Sequence, residues 1–301
     1  MRISAILGTR DEAELLGPAV AALLRAGVAS VTIMDDGSTD GTPGLIAELT
    51  GNPRVFAQPP PADFAGLHDF AGPLFGPVIR RDAPDWVMFV DSDEFLLARG
   101  DAPALAAELD GHDVLEIDRY NAAPGPGGID PATLAGDAAL RALPLITARQ
   151  RLDRAALEAD PARRWILHDI VPKLMVRPAA ATGFAASAHR IAPRDGRTLR
   201  RGRARELLIA HLPFTDYPRF ARKVRNIADV FDRFDAEYPG DRAWHWRHWV
   251  ALARAGRLRA EFDRQVFDAE SLATLRAAGG IADAATLFAA RAQGPAAGGP
   301  G

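Results

Sequence analysis

An apolar segment that ends in three acids, WVMFVDSDEF at 86–95, constrains the fold of this chain more than any other feature. Its five consecutive apolar residues predict a strand buried on both faces, as in the middle of a parallel sheet. If the chain stayed extended, the Cα atoms of Asp91 and Asp93 would be about 6.6 Å apart, whereas two oxygens on one Mg²⁺ cannot be more than about 4.2 Å apart. The chain is therefore expected to bend just after Asp91. A carboxylate pair at the C-terminal edge of a parallel sheet indicates a metal or phosphate site, although the same acids also suit a solvated turn.

The first 57 residues have the pattern of a βαβαβ unit, which implies a parallel sheet with right-handed crossovers. Its strands are predicted at 2–7, 31–34 and 54–57. The sequence TRDE at 9–12 fits a capping box for the first helix, with Thr9 as N-cap and Glu12 three residues later. Thr42 before a proline is typical of the start of the second helix.

The later pattern predicts further strands and helices and then a helical end of the chain. Helices are expected at 67–81 and 102–109, strands at 114–117, 173–176, 189–192 and 207–210, and mainly helices from 217 to about 290. The predicted fold class is therefore α/β, Rossmann-like, with a mostly parallel central sheet flanked by helices and a helical C-terminal region. A Pro/Gly-containing loop at 121–128 is a candidate boundary.

Composition excludes several classes of function. The net charge of −3, from 36 basic and 39 acidic residues, does not favour bulk nucleic-acid binding. The absence of cysteine excludes disulfides, thiolate metal sites and cysteine nucleophiles. The first ten residues lack the apolar core of a signal peptide, and no apolar run approaches the roughly eighteen residues of a membrane span. We therefore expect a cytoplasmic protein without a transmembrane segment, for which peripheral membrane contact stays open.

The loop DDGSTDGT at 35–42 joins a strand end to a helix start, where free backbone N–H groups favour anions. The acids Asp35 and Asp36 would repel phosphate unless a cation intervenes, and they suit ribose hydroxyls or a base N–H better. An ordinary capped turn explains the loop equally well.

Several residues of the second half are candidates of weaker specificity. His211 ends the apolar run at 207–210, where it fits either a metal ligand beside the carboxylate pair or a satisfied core residue. Lys173 and His189 lie on neighbouring predicted strands and are expected to face a diphosphate. Six arginines in 194–205 fit a mobile phosphate clamp or a solvated loop. The WHWRHW sequence at 244–249 is interpreted as helix packing.

Four segments together resemble the family 2 type glycosyltransferases of the GT-A fold. They are RDE at 10–12, DDGSTDGT at 35–42, DWVMFVDSDEF at 85–95, and HLPF at 211–214 with Lys223 after it. The likeness is to the branch with the D-x-D-E-F form of the metal motif and covers residues 2–225. The family usually has Asn where Asp11 stands, and its acceptor-side acid has no recognisable counterpart here.

The resemblance implies a GT-A-like catalytic domain at 1–215, divided into a nucleotide-binding half (1–120) and an acceptor half (121–215). A C-terminal helical region at 216–290 and a disordered tail at 291–301 would follow. It also implies an inverting hexosyl or related transfer that depends on Mn²⁺ or Mg²⁺, from a nucleoside diphosphate sugar to a glycan, lipid or small-molecule acceptor. Asp91, Asp93 and His211 would hold the ion. The nucleotide would contact Arg10, Glu12, Asp35, Asp36, Lys173 and His189.

The general base for the acceptor hydroxyl is assigned to Asp169, with His168 beside it, because this pair opens the acceptor half next to Lys173. Three other functional classes are alternatives. A phosphatase of the haloacid dehalogenase type also places Asp-x-Asp after an apolar strand, but it expects Thr or Val where Phe95 stands. A non-catalytic nucleotide-sugar binding module would keep the metal site and lack a base. A sugar-phosphate nucleotidylyltransferase would need a fuller glycine-rich loop than the GTR at 8–10.

Overall fold

The computed structural model describes residues 1–59, 71–100, 102–160, 163–185, 189–234 and 243–293. The strands are β1 Ile3–Thr9, β2 Ser30–Asp35, β3 Val55–Ala57, β4 Trp86–Asp91, β5 Glu94–Ala98, β6 Val114–Ile117, β7 Arg119–Asn121, β8 Leu145–Ile146, β9 Lys173–Val176, β10 Ala181–Ala185, β11 Arg190–Pro193, β12 Arg201–Arg203, β13 Leu207–His211 and β14 Ile281–Ala282. The helices are α1 Ala13–Arg25, α2 Thr42–Leu49, α3 Ala71–Asp82, α4 Ala102–Leu109, α5 Asp137–Arg141, α6 Arg154–Ala159, α7 Tyr217–Phe234, α8 Trp244–Arg254, α9 Leu258–Gln265, α10 Ala269–Ala277 and α11 Ala284–Gln293.

A seven-stranded sheet in the order β12-β6-β9-β4-β1-β2-β3 forms the centre of the molecule. Its strand pairs are parallel except that β9 runs antiparallel to both neighbours. Side chains of β4 alternate between the two faces, as the period of a strand requires. Met88 and Val90 join the core under α1, whereas Val87 and Phe89 join the core under α3. The expected α/β architecture with a mostly parallel, helix-covered sheet is confirmed.

A second, three-stranded sheet in the order β5-β13-β7 adjoins the end of β4. The chain leaves β4 at Asp91, turns at Ser92 and Asp93, and enters β5 at Glu94. The predicted bend after Asp91 is thus confirmed, and it carries the chain from one sheet to the other.

The C-terminal region is helical from Tyr217, as predicted. Its aromatic core joins α7, α8 and α9 to the HLPF segment, since Trp249 packs on Phe214 and Phe220 with ring centroids 5.5 and 5.2 Å apart. Helix α11 continues to Gln293, and the rest of the predicted tail lies outside the described residues. None of the helices in the described ranges is both long and apolar enough to cross a membrane.

Two predictions about local structure need correction, and a third falls partly outside the described residues. Helix α1 begins at Ala13 with Glu12 in the N-cap position and no side-chain cap, so the capping box is wrong. Part of the arginine-rich run forms edge strand β12 beside β6, where neither alternative predicts a strand, and three of its guanidinium groups pair with acids there. The pairs are Arg200–Asp113, Arg201–Glu116 and Arg203–Asp118. Most of 194–200 is exposed, as the solvated-loop alternative expects. The helix predicted at 67–81 is described from Ala71 to Asp82, and 60–70 lie outside the described residues.

Candidate functional site

The ends of three neighbouring strands place the two acidic loops on either side of β1. The register pairs Gly8 of β1 with Asp91 of β4, and Thr9 of β1 with Asp35 of β2. Adjacent strands are about 4.8 Å apart, so one strand width separates each loop from the end of β1. The 91–94 turn and the 35–42 loop therefore flank the end of β1 at the C-terminal edge of this parallel sheet, where α/β folds place ligands.

The second sheet brings His211 to the same edge. In its register, His211 lies between Glu94 of β5 and Asn121 of β7. The backbone N–H of Leu212 donates to the carbonyl oxygen of Asp93 at 2.9 Å, which fixes the strand end against the turn. His211 Nε2 consequently lies 3.8 Å from Asp93 Oδ2.

Asp93 is the centre of a buried group of charges. It is 1% exposed, and its Oδ2 contacts Arg219 Nη2 at 3.2 Å and the ammonium of Lys223. Burial alone would raise the pKa of Asp93, but Lys223 and Arg219 hold it far below its usual range. Glu12 accepts two hydrogen bonds from the same Arg219, at 2.5 and 2.8 Å. The fully buried guanidinium of Arg219 thus joins α7 to the 91–94 turn and to the start of α1.

Asp91 and Glu94 share a second buried cation, Lys173. Its Nζ lies 2.8 Å from Asp91 Oδ2 and 3.0 Å from Glu94 Oε2, and the residue is 1% exposed. Glu94 also accepts from Arg119 Nη1 at 2.5 Å, and its Oε2 accepts the backbone N–H of Asp91 at 2.9 Å. We refer to these eight residues as the ion-pair cluster: Glu12, Asp91, Asp93, Glu94, Arg119, Lys173, Arg219 and Lys223.

The side-chain amide of Asn121 determines which ring nitrogen of His211 carries the proton. Asn121 Nδ2 donates to the carbonyl oxygen of Ile166 at 2.8 Å, so its Oδ1 is the acceptor for His211 Nδ1 at 2.7 Å. Burial lowers the pKa of His211 to about 3, against the pull of Asp93. The ring is neutral with its proton on Nδ1, which leaves the Nε2 lone pair on the side of Asp93.

The donor atoms at this edge are of the kind that Mn²⁺ or Mg²⁺ accepts. The 3.8 Å between Asp93 Oδ2 and His211 Nε2 is within the about 4.2 Å that two ligands at about 2.1 Å can span. Asp91, the third predicted ligand, has a side chain that is 47% exposed. Among the described residues, however, no group of three or more His, Asp or Glu side chains is arranged to hold an ion as it stands. An ion would share Asp93 with Lys223 and would need Asp91 to turn toward it.

On the other side of β1, the 35–42 loop is held by its own hydrogen bonds. Asp35 Oδ1 accepts the backbone N–H of Ser38 at 3.0 Å. Asp11 accepts from the backbone N–H of Thr39 at 2.6 Å and from Asn226 of α7 at 2.8 Å. Asp35 thus has the hydrogen bond expected of an ordinary capped turn. Asp11, where the family usually has Asn, connects the loop to α7 through Asn226.

Arg10 and Asp36 lie next to this loop. Arg10 is 3.8 Å from Asp36 and 3.5 Å from Asp229 of α7. Burial raises the pKa of Asp36, while Arg10 and Arg233 oppose the rise. A partly buried carboxylate with a weak, distant partner can still accept hydrogen bonds from a ligand.

His189 is close to the ion-pair cluster. Burial, with Lys173 and Arg119 nearby, lowers the pKa of His189 to about 3. The ring is therefore neutral, and its Nδ1 lies 3.4 Å from the carbonyl oxygen of Pro172. The structure thus places Lys173 and His189 together, next to Asp91.

The proposed base pair has other partners. Asp169 Oδ1 contacts Arg149 Nη1 at 3.1 Å, and its side chain is 39% exposed. His168 Nδ1 accepts the backbone N–H of Leu152 at 3.1 Å, and burial lowers the pKa of His168. In the neutral ring the proton therefore resides on Nε2, which makes that atom a hydrogen-bond donor.

Sequence reasoning missed Asn121, Glu94, Arg119 and the buried position of Arg219. One signal was available for the last. In α7 the spacing of Arg219, Lys223 and Asn226 places all three on one face, directly after the HLPF segment.

Comparisons with known proteins give limited alignments. No family model and no curated protein matches the chain. Among solved structures, S. aureus TarS 1–349 in complex with UDP is 21% identical over 40% of this chain and 36% of its own, with a TM-score of 0.33. The complex of TarS 1–349 with UDP-GlcNAc is 16% identical over 77% and 66%, with a TM-score of 0.38. Glucosyl-3-phosphoglycerate synthase from Mycobacterium tuberculosis, in complex with Mn²⁺, UDP and glucosyl-3-phosphoglycerate, is 16% identical over 60% and 58%, with a TM-score of 0.30. Two of the alignments with TarS span only 36% and 22% of those chains, and TM-scores this low identify no common activity.

Proposed function

We propose that this chain is a glycosyltransferase that moves a sugar from a nucleoside diphosphate sugar to an acceptor hydroxyl, with Mn²⁺ or Mg²⁺ at Asp91, Asp93 and His211. The observation that carries the proposal is the meeting of Asp93 Oδ2 and His211 Nε2 at 3.8 Å, one strand from the loop that holds Asp36. Two residues more than a hundred positions apart, both singled out from the sequence, lie at one sheet edge.

A nucleoside diphosphate would lie across the end of β1 between the two acidic loops. The 91–94 turn and the 35–42 loop flank the end of β1. The diphosphate would lie by the turn, near Lys173 and Lys223, and the nucleoside would lie by the loop, near Asp36 and Arg10. Partly buried Asp36 is suited to accept from a ribose hydroxyl or a base N–H.

The charges of the ion-pair cluster favour a dication. Four carboxylates and four basic side chains balance in this cluster. A diphosphate would add negative charge to a site of low dielectric, which is costly unless positive charge accompanies it. A bound dication would supply that charge to the leaving diphosphate.

The chain's own residues would supply the rest of the reaction. Lys173 and Lys223 would neutralise phosphate oxygens as the glycosidic bond breaks. The carboxylate of Asp169 would take the proton of the acceptor hydroxyl, consistent with an inverting transfer. For that role Asp169 must leave Arg149, which its exposed position allows. The donor-binding half at 1–120 and the acceptor half at 121–215 are part of the same proposal.

Calorimetric titration with UDP, GDP, CDP and dTDP tests the proposal, each with Mn²⁺ and again with EDTA. We expect one nucleotide to bind and its binding to fail in EDTA. Equal affinity in both would contradict the metal site. Failure of all four nucleotides, together with release of phosphate from p-nitrophenyl phosphate, would favour the phosphatase reading. Nucleotide binding without turnover of any sugar donor would favour the binding module.

His211→Ala gives a sharper test of the ligand assignment. A neutral nitrogen donor is accepted more readily by Mn²⁺ than by Mg²⁺, so the variant should lose Mn²⁺-supported activity more than Mg²⁺-supported activity. Normal Mn²⁺ dependence in a variant that still unfolds cooperatively would exclude His211 as a ligand.

A further inference from the structure

Four rings lie in contact with one another near His211, and we call them the aromatic platform: buried Trp165 and half-buried His168, Trp244 and His245. Trp165 stacks on His245 with centroids 5.0 Å apart and planes at 28°. His168 lies 6.0 Å from Trp165 and meets Trp244 edge-on at 6.2 Å. His168, Trp244 and His245 are half-buried, whereas Trp165 is buried at 4% exposure.

The platform is connected to the proposed metal ligand by one side chain. Asn121 bonds His211 through Oδ1 and the carbonyl oxygen of Ile166 through Nδ2. Ile166 belongs to the 3₁₀ turn Trp165–Leu167, which carries the first ring of the platform. Phe214, three residues after His211, also contacts Trp165, with centroids 6.1 Å apart. The platform therefore adjoins the side of the site opposite the 35–42 loop.

Packing alone does not explain these four rings. The neighbouring Trp249 and Phe220 are each 1% exposed and fill the core as phenylalanines and tryptophans usually do. The platform instead contains two imidazoles, and the buried Nε1–H of Trp165 has no acceptor among the described residues. Burial lowers the pKa of His245 to about 3. Polar ring atoms are costly in a core when they gain no partner, and such costs are concentrated at functional positions.

We infer that the aromatic platform binds the acceptor and that the acceptor is a carbohydrate; this inference rests on the proposed function. One face of a pyranose ring is lined by C–H groups, which pack on flat aromatic surfaces, while its hydroxyls surround that face. The Leu152 contact places the ring proton of His168 on Nε2. The His168 ring also interacts with the backbone of Gln150, so a sugar hydroxyl would share this half-buried ring with that backbone. The platform carries no formal charge and mixes flat rings with N–H groups, a combination that favours an uncharged polyhydroxy ring over an acyl chain or an anion.

Binding of methyl glycosides tests the inference. Saturation-transfer NMR with the methyl glycosides of glucose, galactose, mannose and N-acetylglucosamine is recorded on the protein with UDP and Mn²⁺. We expect at least one glycoside to bind, and Trp244→Leu to weaken its affinity about tenfold, because one stacking surface is lost. Trp244→Phe retains a ring and should restore most of the affinity.

Trp246→Leu is the matched control, because Trp246 is also half-buried on the same turn of α8 and is not one of the four platform rings. Its ring packs on Trp249 with centroids 5.0 Å apart and on His245 with centroids 5.4 Å apart, so the control also shows whether a loss passes through His245 alone. The glycoside affinity of this variant should stay within about twofold of wild type. Glycosides that bind Trp244→Leu as tightly as wild type would overturn the inference. So would a wild-type protein that binds UDP and none of the glycosides. Failure of the wild type to bind any nucleotide would instead refute the proposed function, so the two failures are distinguishable.

Discussion

The ion-pair cluster and the aromatic platform flank the same histidine but differ in how their residues depend on one another. In the cluster, each buried charge is stabilised by a charge on another element, as Arg219 is by Glu12 and Asp93. In the platform, each ring contributes contact surface of its own. Removing one member should therefore have different effects. A change in the cluster leaves a partner uncompensated, while a change in the platform leaves mainly a smaller surface.

Asp93→Asn should have the largest effect, because it removes the carboxylate from two cations while keeping the volume of the side chain. Loss of one partner of a buried ion pair costs about 3–5 kcal/mol of the free energy of unfolding. Urea denaturation measures that loss, and transfer activity should disappear with it.

Asp91→Asn is the control within the same turn. The side chain of Asp91 is 47% exposed, so its pair with Lys173 should contribute at most about 1 kcal/mol to stability, although activity should still fall strongly. Equal loss of stability in both variants would mean that the two acids have the same structural role. That result would contradict the view that Asp93 stabilises the fold while Asp91 serves mainly as a metal ligand.

Local patterns in the sequence were sufficient to predict which residues lie at the strand ends of the candidate site. An apolar run that ends sharply at a polar residue marks where a strand stops, which located Asp91 and His211 at strand ends. The start of α7 at Tyr217 followed in the same way. The α/β architecture followed from the alternation of such runs with helical periods.

The partners of buried charges could not be predicted in this way. The acids that hold Arg219 are 126 and 207 positions away along the chain. An arginine on an amphipathic helix normally faces water, so the shared face of Arg219, Lys223 and Asn226 does not by itself reveal which distant acids bind Arg219. Asn121 was equally inconspicuous, because the sequence pattern assigns it to the Pro/Gly loop at 121–128, whereas the structure places it at the end of β7.

Asn121→Ala tests the connection between the two regions and should have the second largest effect. A residue that orients a ligating histidine typically contributes about 10–100-fold to metal affinity. We expect a loss in this range for Mn²⁺ in the presence of UDP, measured by electron paramagnetic resonance. Asn121→Asp keeps an acceptor for His211 Nδ1 and should bind Mn²⁺ more tightly than the alanine variant. If both variants bind Mn²⁺ like wild type, Asn121 does not orient a metal ligand.

The pH dependence of stability should show a moderate effect that involves both regions. The pKa values of His189, His211 and His245 are each lowered to about 3. Below the ordinary value of 6.5 the unfolded chain binds protons that the folded chain does not, so stability is complete above pH 6.5 and decreases as pH falls toward 3. Each histidine should cost about 1.4 kcal/mol per pH unit below 6.5.

His245→Phe measures how much of the pH dependence of the unfolding free energy comes from the platform. The difference in unfolding free energy between pH 7.5 and pH 5.5, measured in urea, should be smaller in the variant by about 1.4 kcal/mol. An unchanged difference would show that burial does not keep His245 neutral. Histidines kept neutral by burial would then be confined to the surroundings of the ion-pair cluster.

Asp36→Asn should have the smallest effect, because it keeps the shape of the side chain and removes only its charge. If Asp36 accepts a hydrogen bond from the nucleoside, the variant should bind UDP about 3–10-fold more weakly, the usual cost of one such bond. Its dependence on Mn²⁺ should be retained, because the metal lies on the other side of β1. Asp35→Asn is the control: its amide oxygen can still accept the N–H of Ser38, so the loop and the UDP affinity should stay as in wild type. If instead Asp35→Asn weakens UDP binding and Asp36→Asn does not, the carboxylate of Asp35 contacts the nucleoside. The loop would then bind the nucleoside through Asp35, the residue whose carboxylate accepts the N–H of Ser38.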